Sequence, residues 1–298
     1  MWLNQRSFIG AVTALSLLSS ANGRAISRRD DFCPESDLVN DNGDHWDGSP
    51  SQLFESTFHL AEQQAEQQKV SPKWLRILPL GASITRGLKS TPEDGYRKSL
   101  REHLKSLGHN VNMVGSHVNK DGSMQDGEHE GVAGARIDQV YHNMDASSTT
   151  KPNIYLINAG TNDCQQNYKK MEGTIDRLND LLTKAWDKSK KSTIILSTLT
   201  PSYNGEGPNK RVNDLNKKIR DLVKKLKDQK RRIVLAEMND GFLSKKDMNA
   251  DGIHPTNDGY KKMAAVWTTA ILKARQEKLL QEPENTGKSD DMVTTSES

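Results

Sequence analysis

From Trp74 onward the chain repeats one pattern, a short and nearly continuous apolar run followed by a longer stretch with helical spacing. The runs are LRILPL (75–80), VNMVG (111–115), NIYLINAG (153–160), STIILSTL (192–199) and RIVLAE (232–237). Apolar residues recur at offsets of three and four around Tyr96, Leu100, Leu104 and Leu107, then around Met171, Ile175, Leu178, Leu181 and Leu182. They do so again over 210–229 and around Tyr260, Met263, Trp267 and Ile271. Strands that do not alternate apolar with polar residues are buried on both faces, and the intervening helices are what cover them. The pattern predicts an α/β fold, a three-layer α/β/α sandwich, flavodoxin-like, with about five parallel strands.

The two ends of the chain differ from this centre. Hydrophobic residues make up 34% of 298 and mean hydropathy is -0.78. Both are low for a compact enzyme, as they would be if polar extensions diluted an ordinary domain. Residues 1–23 read as a secretory signal peptide, with Arg6, the run FIGAVTALSLL and a small-x-small cleavage site at Ala21-Asn22-Gly23. That run is too short for a comfortable membrane span, and no other stretch approaches about 18 apolar residues. A secreted, extracellular protein with no membrane partner is therefore expected. Arg28-Arg29 resembles a dibasic processing site, which would make 24–29 a propeptide. The rest of 24–73 is an N-terminal extension with a Gln/Glu-rich helix over 51–70, 74–280 is the domain, and 281–298 is a disordered tail without apolar pattern.

Two cysteines, Cys33 and Cys164, are an even count for an oxidising compartment, which predicts a disulfide between them. No Asn-x-Ser/Thr sequon occurs, so N-glycosylation is not expected. A net charge of +3 is too small to imply nucleic acid. The densest basic run, Lys217 to Arg232, lies beside an apolar stripe of Val212, Leu215, Ile219, Leu222, Val223 and Leu226, so its lysines read as the wet face of a helix.

In an open parallel sheet, ligands gather at the carboxyl ends of the strands. Four segments with chemical potential fall there: Ser83 in GASITRG, Gly134 in EGVAGARID, Asn162 in NAGTND, and Asp251 with His254 in DGIHPTNDGY. Together they form a complete set for acyl transfer. Ser83 would be the nucleophile, His254 the base that takes its proton, and Asp251 the carboxylate that holds the imidazole tautomer. The Ser83 and Gly134 backbone N–H groups and the Asn162 amide would donate to a developing oxyanion, with glycine at 134 allowing close backbone approach. Each piece alone has an ordinary reading. Ser83 would be a helix N-cap, Asp251-x-x-His254 a capping turn and Asn162 a turn residue. Their joint occurrence, in this order and at these strand ends, is what favours chemistry.

These residues carry a family resemblance. LPLGASITRG, DGYRKSL, NMVGS, MQDGEHEGVAGARI, NAGTND and DGIHPTNDGY resemble the SGNH, or GDSL-like, hydrolases, and within them carbohydrate esterase family 3. The resemblance spans about 74–275. It implies Ser83 as nucleophile, Gly134 and Asn162 as oxyanion donors, Asp251 and His254 completing the triad, and an acetyl xylan esterase type of activity. The substrate would be an acylated polysaccharide or oligosaccharide, the protein a monomer, and no cofactor or metal would be needed. One departure is Ala82, where the superfamily often has the Asp of Gly-Asp-Ser. Tyr203 and Asn204 follow the fourth strand and are candidates to stack on or hydrogen-bond a sugar. His129 and Glu130 in GEHEG read as substrate-loop structure.

Two alternatives follow from the same residues. Asp247, Asn249, Asp251 and Asp258 fit Asp-x-Asn-x-Asp-Gly-x5-Asp, close to the loop of a calcium-dependent binding module. Among enzymes, a lysophospholipase or general short-chain esterase would use the same chemistry but calls for a long apolar loop beside the site, and the loops here are polar.

Overall fold

The computed structural model describes residues 74–287 and residue 290. The signal peptide expected over 1–23, the Arg28-Arg29 site, Cys33, the helix expected over 51–70 and residues 291–298 all lie outside them.

Each apolar run forms a strand. The strands are β1 (Trp74–Gly81), β2 (Asn110–Met113), the two-residue β3 (Glu130–Gly131), β4 (Ile154–Asn158), β5 (Thr193–Ser197) and β6 (Ile233–Ala236). All pairings are parallel, in the order β2-β1-β4-β5-β6, and β3 pairs with the last two residues of β1. The helices are α1 (Ser83–Arg86), α2 (Arg97–Ser106), α3 (Ile137–Asn143), α4 (Thr161–Gln166), α5 (Thr174–Lys188), α6 (Glu206–Asp228) and α7 (Asn257–Gln276).

Successive strand residues point to opposite faces, and the core divides accordingly. Leu78, Leu80, Tyr155, Ile157, Ile194 and Leu196 pack in one cluster with Ile137 and Val140 of α3, Leu178 and Leu181 of α5, and Leu215 and Ile219 of α6. Leu75, Ile77, Ile154, Leu156, Ile195 and Val234 pack in the other with Leu100 and Leu104 of α2 and Met263, Trp267 and Ile271 of α7. Helices thus cover both faces, as the near-continuous apolar strands require. No helix among the described residues is long and apolar enough to cross a membrane.

The segment after α7 differs from its expectation of disorder from 281 onward. The carbonyls of Leu279, Gln281 and Glu284 accept hydrogen bonds from Thr193 Oγ1 (2.7 Å), Asn153 Nδ2 (2.6 Å) and Arg76 Nη1 (2.9 Å). Asp290 Oδ1 pairs with Arg76 Nε at 2.6 Å and accepts from Asn112 Nδ2 at 3.0 Å. This strap crosses the amino ends of the strands; Leu279 and Leu280 pack against the core, and beyond them it is held through backbone carbonyls and Asp290, which leaves no apolar signal in the sequence.

After β1 the chain passes to β2 on one side, then returns to β4 on the other side of β1. β1 and β4 stay paired to their last residues, Gly81 and Asn158, and the connections leaving them run to opposite sides, which opens a crevice where the strand order reverses.

Candidate active site

β1 ends at Gly81, where only hydrogen fits: a Cβ would lie 2.3 Å from the Asn158 carbonyl oxygen and 2.4 Å from Thr85 Oγ1. This close approach lets the chain turn directly from strand into α1. Ala82 takes the N-cap position and Ser83 is the first helical residue, with no side-chain capping bond at this helix. The N-cap reading of Ser83 is thereby overturned. Instead its hydroxyl, on a residue only 8% exposed, lies 2.9 Å from His254 Nε2.

His254 sits on the loop before α7, and its Nδ1 is 2.8 Å from Asp251 Oδ2. Asp251 Oδ1 accepts the N–H groups of Ile253 and His254, both at 2.9 Å, so one carboxylate closes the turn and orients the ring together. Nδ1 donating to the carboxylate leaves Nε2 as the acceptor facing Ser83. Burial pushes the Asp251 carboxyl up, but the His254 and Ile253 N–H bonds and the imidazole outweigh it and hold it below the ordinary carboxylate range.

Gly134 follows β3 and adopts φ 80°. An added Cβ there would meet none of the protein's own atoms within 4 Å, so within the chain it is the left-handed backbone that calls for glycine. Asn162 lies in the first turn of α4, and its Nδ2 donates to the Ala135 carbonyl at 2.9 Å. An amide carries two donor hydrogens, and this bond engages one of them.

Tyr203, 40% exposed, and Asn204 follow β5 on the same rim. The Tyr203 N–H donates to the Gly252 carbonyl at 2.7 Å, tying this loop to the Asp251 turn. Asn204 Nδ2 donates to Gln165 Oε1 at 3.2 Å, and Gln165 Nε2 to Ser202 Oγ at 2.9 Å. Gln165 was not picked out from sequence, although its place three residues beyond Asn162 puts both on one helix face.

His129 and Glu130 are buried and structural. His129 Nδ1 accepts the Gly131 N–H at 3.0 Å, while Glu130 accepts from Ser116 N (3.1 Å), Ser116 Oγ (3.0 Å) and the Ser147 hydroxyl. Arg97 of the GYR motif, 1% exposed, donates to the carbonyls of Gly127, Arg86 and Glu93 and so fastens the loops around α1. Nothing in the sequence separates such a buried guanidinium from an exposed one.

The calcium-loop residues are drawn to separate partners. Asp247 accepts from Ser244 and from Lys262 Nζ at 3.0 Å, and Asn249 Nδ2 donates to the Pro255 carbonyl at 2.8 Å. Asp258 pairs with Lys261 at 3.1 Å, and Asp251 is engaged by His254. Among the described residues no cluster of three or more His, Cys, Asp or Glu is arranged for a metal ion. Of the two cysteines expected to form a disulfide, Cys33 lies outside the described residues. Cys164, on the inward face of α4, is a free thiol wholly buried in the core.

A hydroxyl, an imidazole and a carboxylate in hydrogen-bonded series, with amide donors alongside at the switch point of a doubly wound sheet, is the kind of site serine hydrolases use. The sequence model of the GDSL-like lipase/acylhydrolase family matches residues 77–267, and the chain belongs to that family. It is 27% identical over 222 residues to a multidomain esterase of Ruminococcus flavefaciens, an alignment covering 66% of this chain and 28% of that protein's length. In structure it resembles a family 3 carbohydrate esterase of Clostridium thermocellum, with TM-score 0.60, 24% identity, and 68% of this chain and 99% of that one covered. A family 3 carbohydrate esterase from Talaromyces cellulolyticus superposes with TM-score 0.59, 21% identity and the same coverage of 68% and 99%. At these identities the structural likeness establishes the fold.

Proposed function

We propose that the protein is a secreted serine esterase that removes acyl groups, chiefly acetyl, from a plant polysaccharide such as xylan. The observation that carries this is the unbroken series from Ser83 Oγ through His254 Nε2 (2.9 Å) and His254 Nδ1 to Asp251 Oδ2 (2.8 Å) in the β1/β4 crevice.

In this reaction His254 Nε2 takes the Ser83 proton as Oγ adds to the ester carbonyl. The Asp251 carboxylate stabilises the resulting imidazolium and keeps its orientation. Negative charge on the former carbonyl oxygen is met by the Ser83 and Gly134 N–H groups and by the second Asn162 amide hydrogen. The tetrahedral species collapses, the sugar oxygen leaves with the proton returned by His254, and the acyl group stays on Ser83. Water, deprotonated by His254, then attacks the acyl-serine, releasing the carboxylic acid and restoring the hydroxyl. These steps use the chain's own side chains and water, with no cofactor.

A hydrophilic substrate is supported by the rim, where Gln165, Ser202 and Asn204 make a polar wall and Tyr203 offers an aromatic face. A long-chain acyl substrate would need apolar lining in its place. The deciding experiment compares acetate release from acetylated xylan with hydrolysis of medium-chain p-nitrophenyl esters. Faster turnover of the medium chains would favour the lipid-esterase alternative.

A further inference from the structure

Asn162 and Asp163 are consecutive in the first turn of α4, about 100° apart around the helix. One therefore faces the crevice while the other faces inward, and Asp163 is 0% exposed. A carboxylate is buried this deeply only when its charge is answered. Here Oδ2 accepts the Ile137 N–H at 3.0 Å and Oδ1 accepts Arg177 Nη2 at 3.1 Å. Arg177 is itself held by the Glu172 carbonyl (2.8 Å) and Thr174 Oγ1 (3.1 Å) at the start of α5.

Ile137 lies three residues beyond Gly134, and Ala135, whose carbonyl accepts from Asn162 Nδ2, lies one residue beyond it. The 134–137 segment is thus tied twice to one helical turn, with opposite polarity, through a carbonyl at Ala135 and an N–H at Ile137. Its other end is held by the Val132 N–H on the Gly81 carbonyl at 3.2 Å. Gly134 is exposed, the space a Cβ would take is empty to 4 Å, and the residue is carried in a turn closed by the Ala135 N–H on the Val132 carbonyl at 3.1 Å. The direction of its N–H therefore depends on this turn and on the flanking ties that set the turn against α4.

We infer that Asp163 is a positioning residue of the oxyanion site, its carboxylate setting the Gly134 segment against the turn that carries Asn162, with Arg177 anchoring the carboxylate. This rests on the proposed role of Gly134 and Asn162 as oxyanion donors. Asp163→Asn keeps the size of the side chain but only one acceptor oxygen, so it cannot serve both Ile137 and Arg177.

The test measures p-nitrophenyl acetate hydrolysis by wild type, Asp163→Asn, Asn162→Ala and the double variant, with thermal unfolding of each. Misplacing a reacting geometry by about 1 Å costs up to about 10²-fold. Asp163→Asn is expected to lower kcat about 10- to 100-fold with KM within about twofold. In the Asn162→Ala background the same substitution should cost at least about threefold less, as coupled residues do. If Asp163→Asn fails to fold, Arg177→Gln, altering a partly exposed side chain, should still lower kcat severalfold at unchanged KM. Wild-type kcat in a folded Asp163→Asn or Arg177→Gln, or losses that simply multiply in the double variant, would overturn the inference while leaving the donor role intact. Wild-type kcat in Asn162→Ala would overturn both.

Discussion

Acid should weaken this protein through His129, by an amount that its environment sets. The ring is 1% exposed, its Nδ1 accepts the Gly131 N–H at 3.0 Å, and Nε2 therefore carries the proton toward Asn119 Oδ1 at 3.1 Å. Protonating Nδ1 would break the bond at β3. Burial, then the charges of Arg97, His117 and Arg86, push the imidazole down to about 3. An unfolded histidine titrates near about 6.5. Between these values the unfolded state binds the extra proton, so stability rises with pH: the contribution is complete above about 6.5 and falls by about 1.4 kcal/mol per unit below it. By pH 4.5 the loss from this residue is about 3 kcal/mol. His129→Asn keeps an acceptor near the Nδ1 position, loses the Asn119 contact at about 1 kcal/mol, and cannot titrate. Urea unfolding from pH 7.5 to 4.5 should show the variant less stable than wild type at neutral pH and more stable at pH 4.5, with crossing curves. Parallel curves would refute the assignment of the proton-linked loss to His129.

Asn162→Ala should lower kcat about 10²- to 10³-fold in steady-state assays with little change in KM, since an oxyanion donor acts mainly in the transition state; a pure KM effect would make it a substrate-binding residue. Asp251→Asn leaves its turn able to close but presents the wrong imidazole tautomer, costing about 10⁴ in kcat by analogy with serine proteases, while excess chelator leaves wild-type activity unchanged. Burial, reinforced by the neighbouring Asp163, raises the Cys164 thiol to about 12. Native protein should therefore resist alkylation, and Cys164 should label in denaturant without reductant; labelling there only after reduction would instead support the disulfide with Cys33.

The sheet was legible because its strands are nearly unbroken apolar runs, and α2, α5, α6 and α7 because their buried stripes repeat at helical spacing. β3, α1, α3 and α4 are short and polar, and their places are set by tertiary bonds such as Glu130 to Ser116 and Asp163 to Ile137. No local signal encodes those. Ser83, Asn162, Asp251 and His254 were legible because strand order brings their segments to one rim, yet only geometry shows that Ala82 holds the N-cap position and Ser83 points at His254. Asp163 and Arg97 stayed hidden because sequence does not say which charges are buried with partners. The strap over 279–287 stayed hidden for a related reason: its carbonyls, which every residue has, make most of its bonds.

The central claim is that Ser83 becomes covalently acylated through His254 and Asp251. Its most direct test treats the protein with diethyl p-nitrophenyl phosphate, which transfers a phosphoryl group to an activated serine, and maps the adduct by peptide mass spectrometry. The account predicts one adduct, on Ser83, forming in step with loss of esterase activity and far more slowly in Asp251→Asn. Complete loss of activity with Ser83 unmodified, or an adduct on another residue, would contradict it.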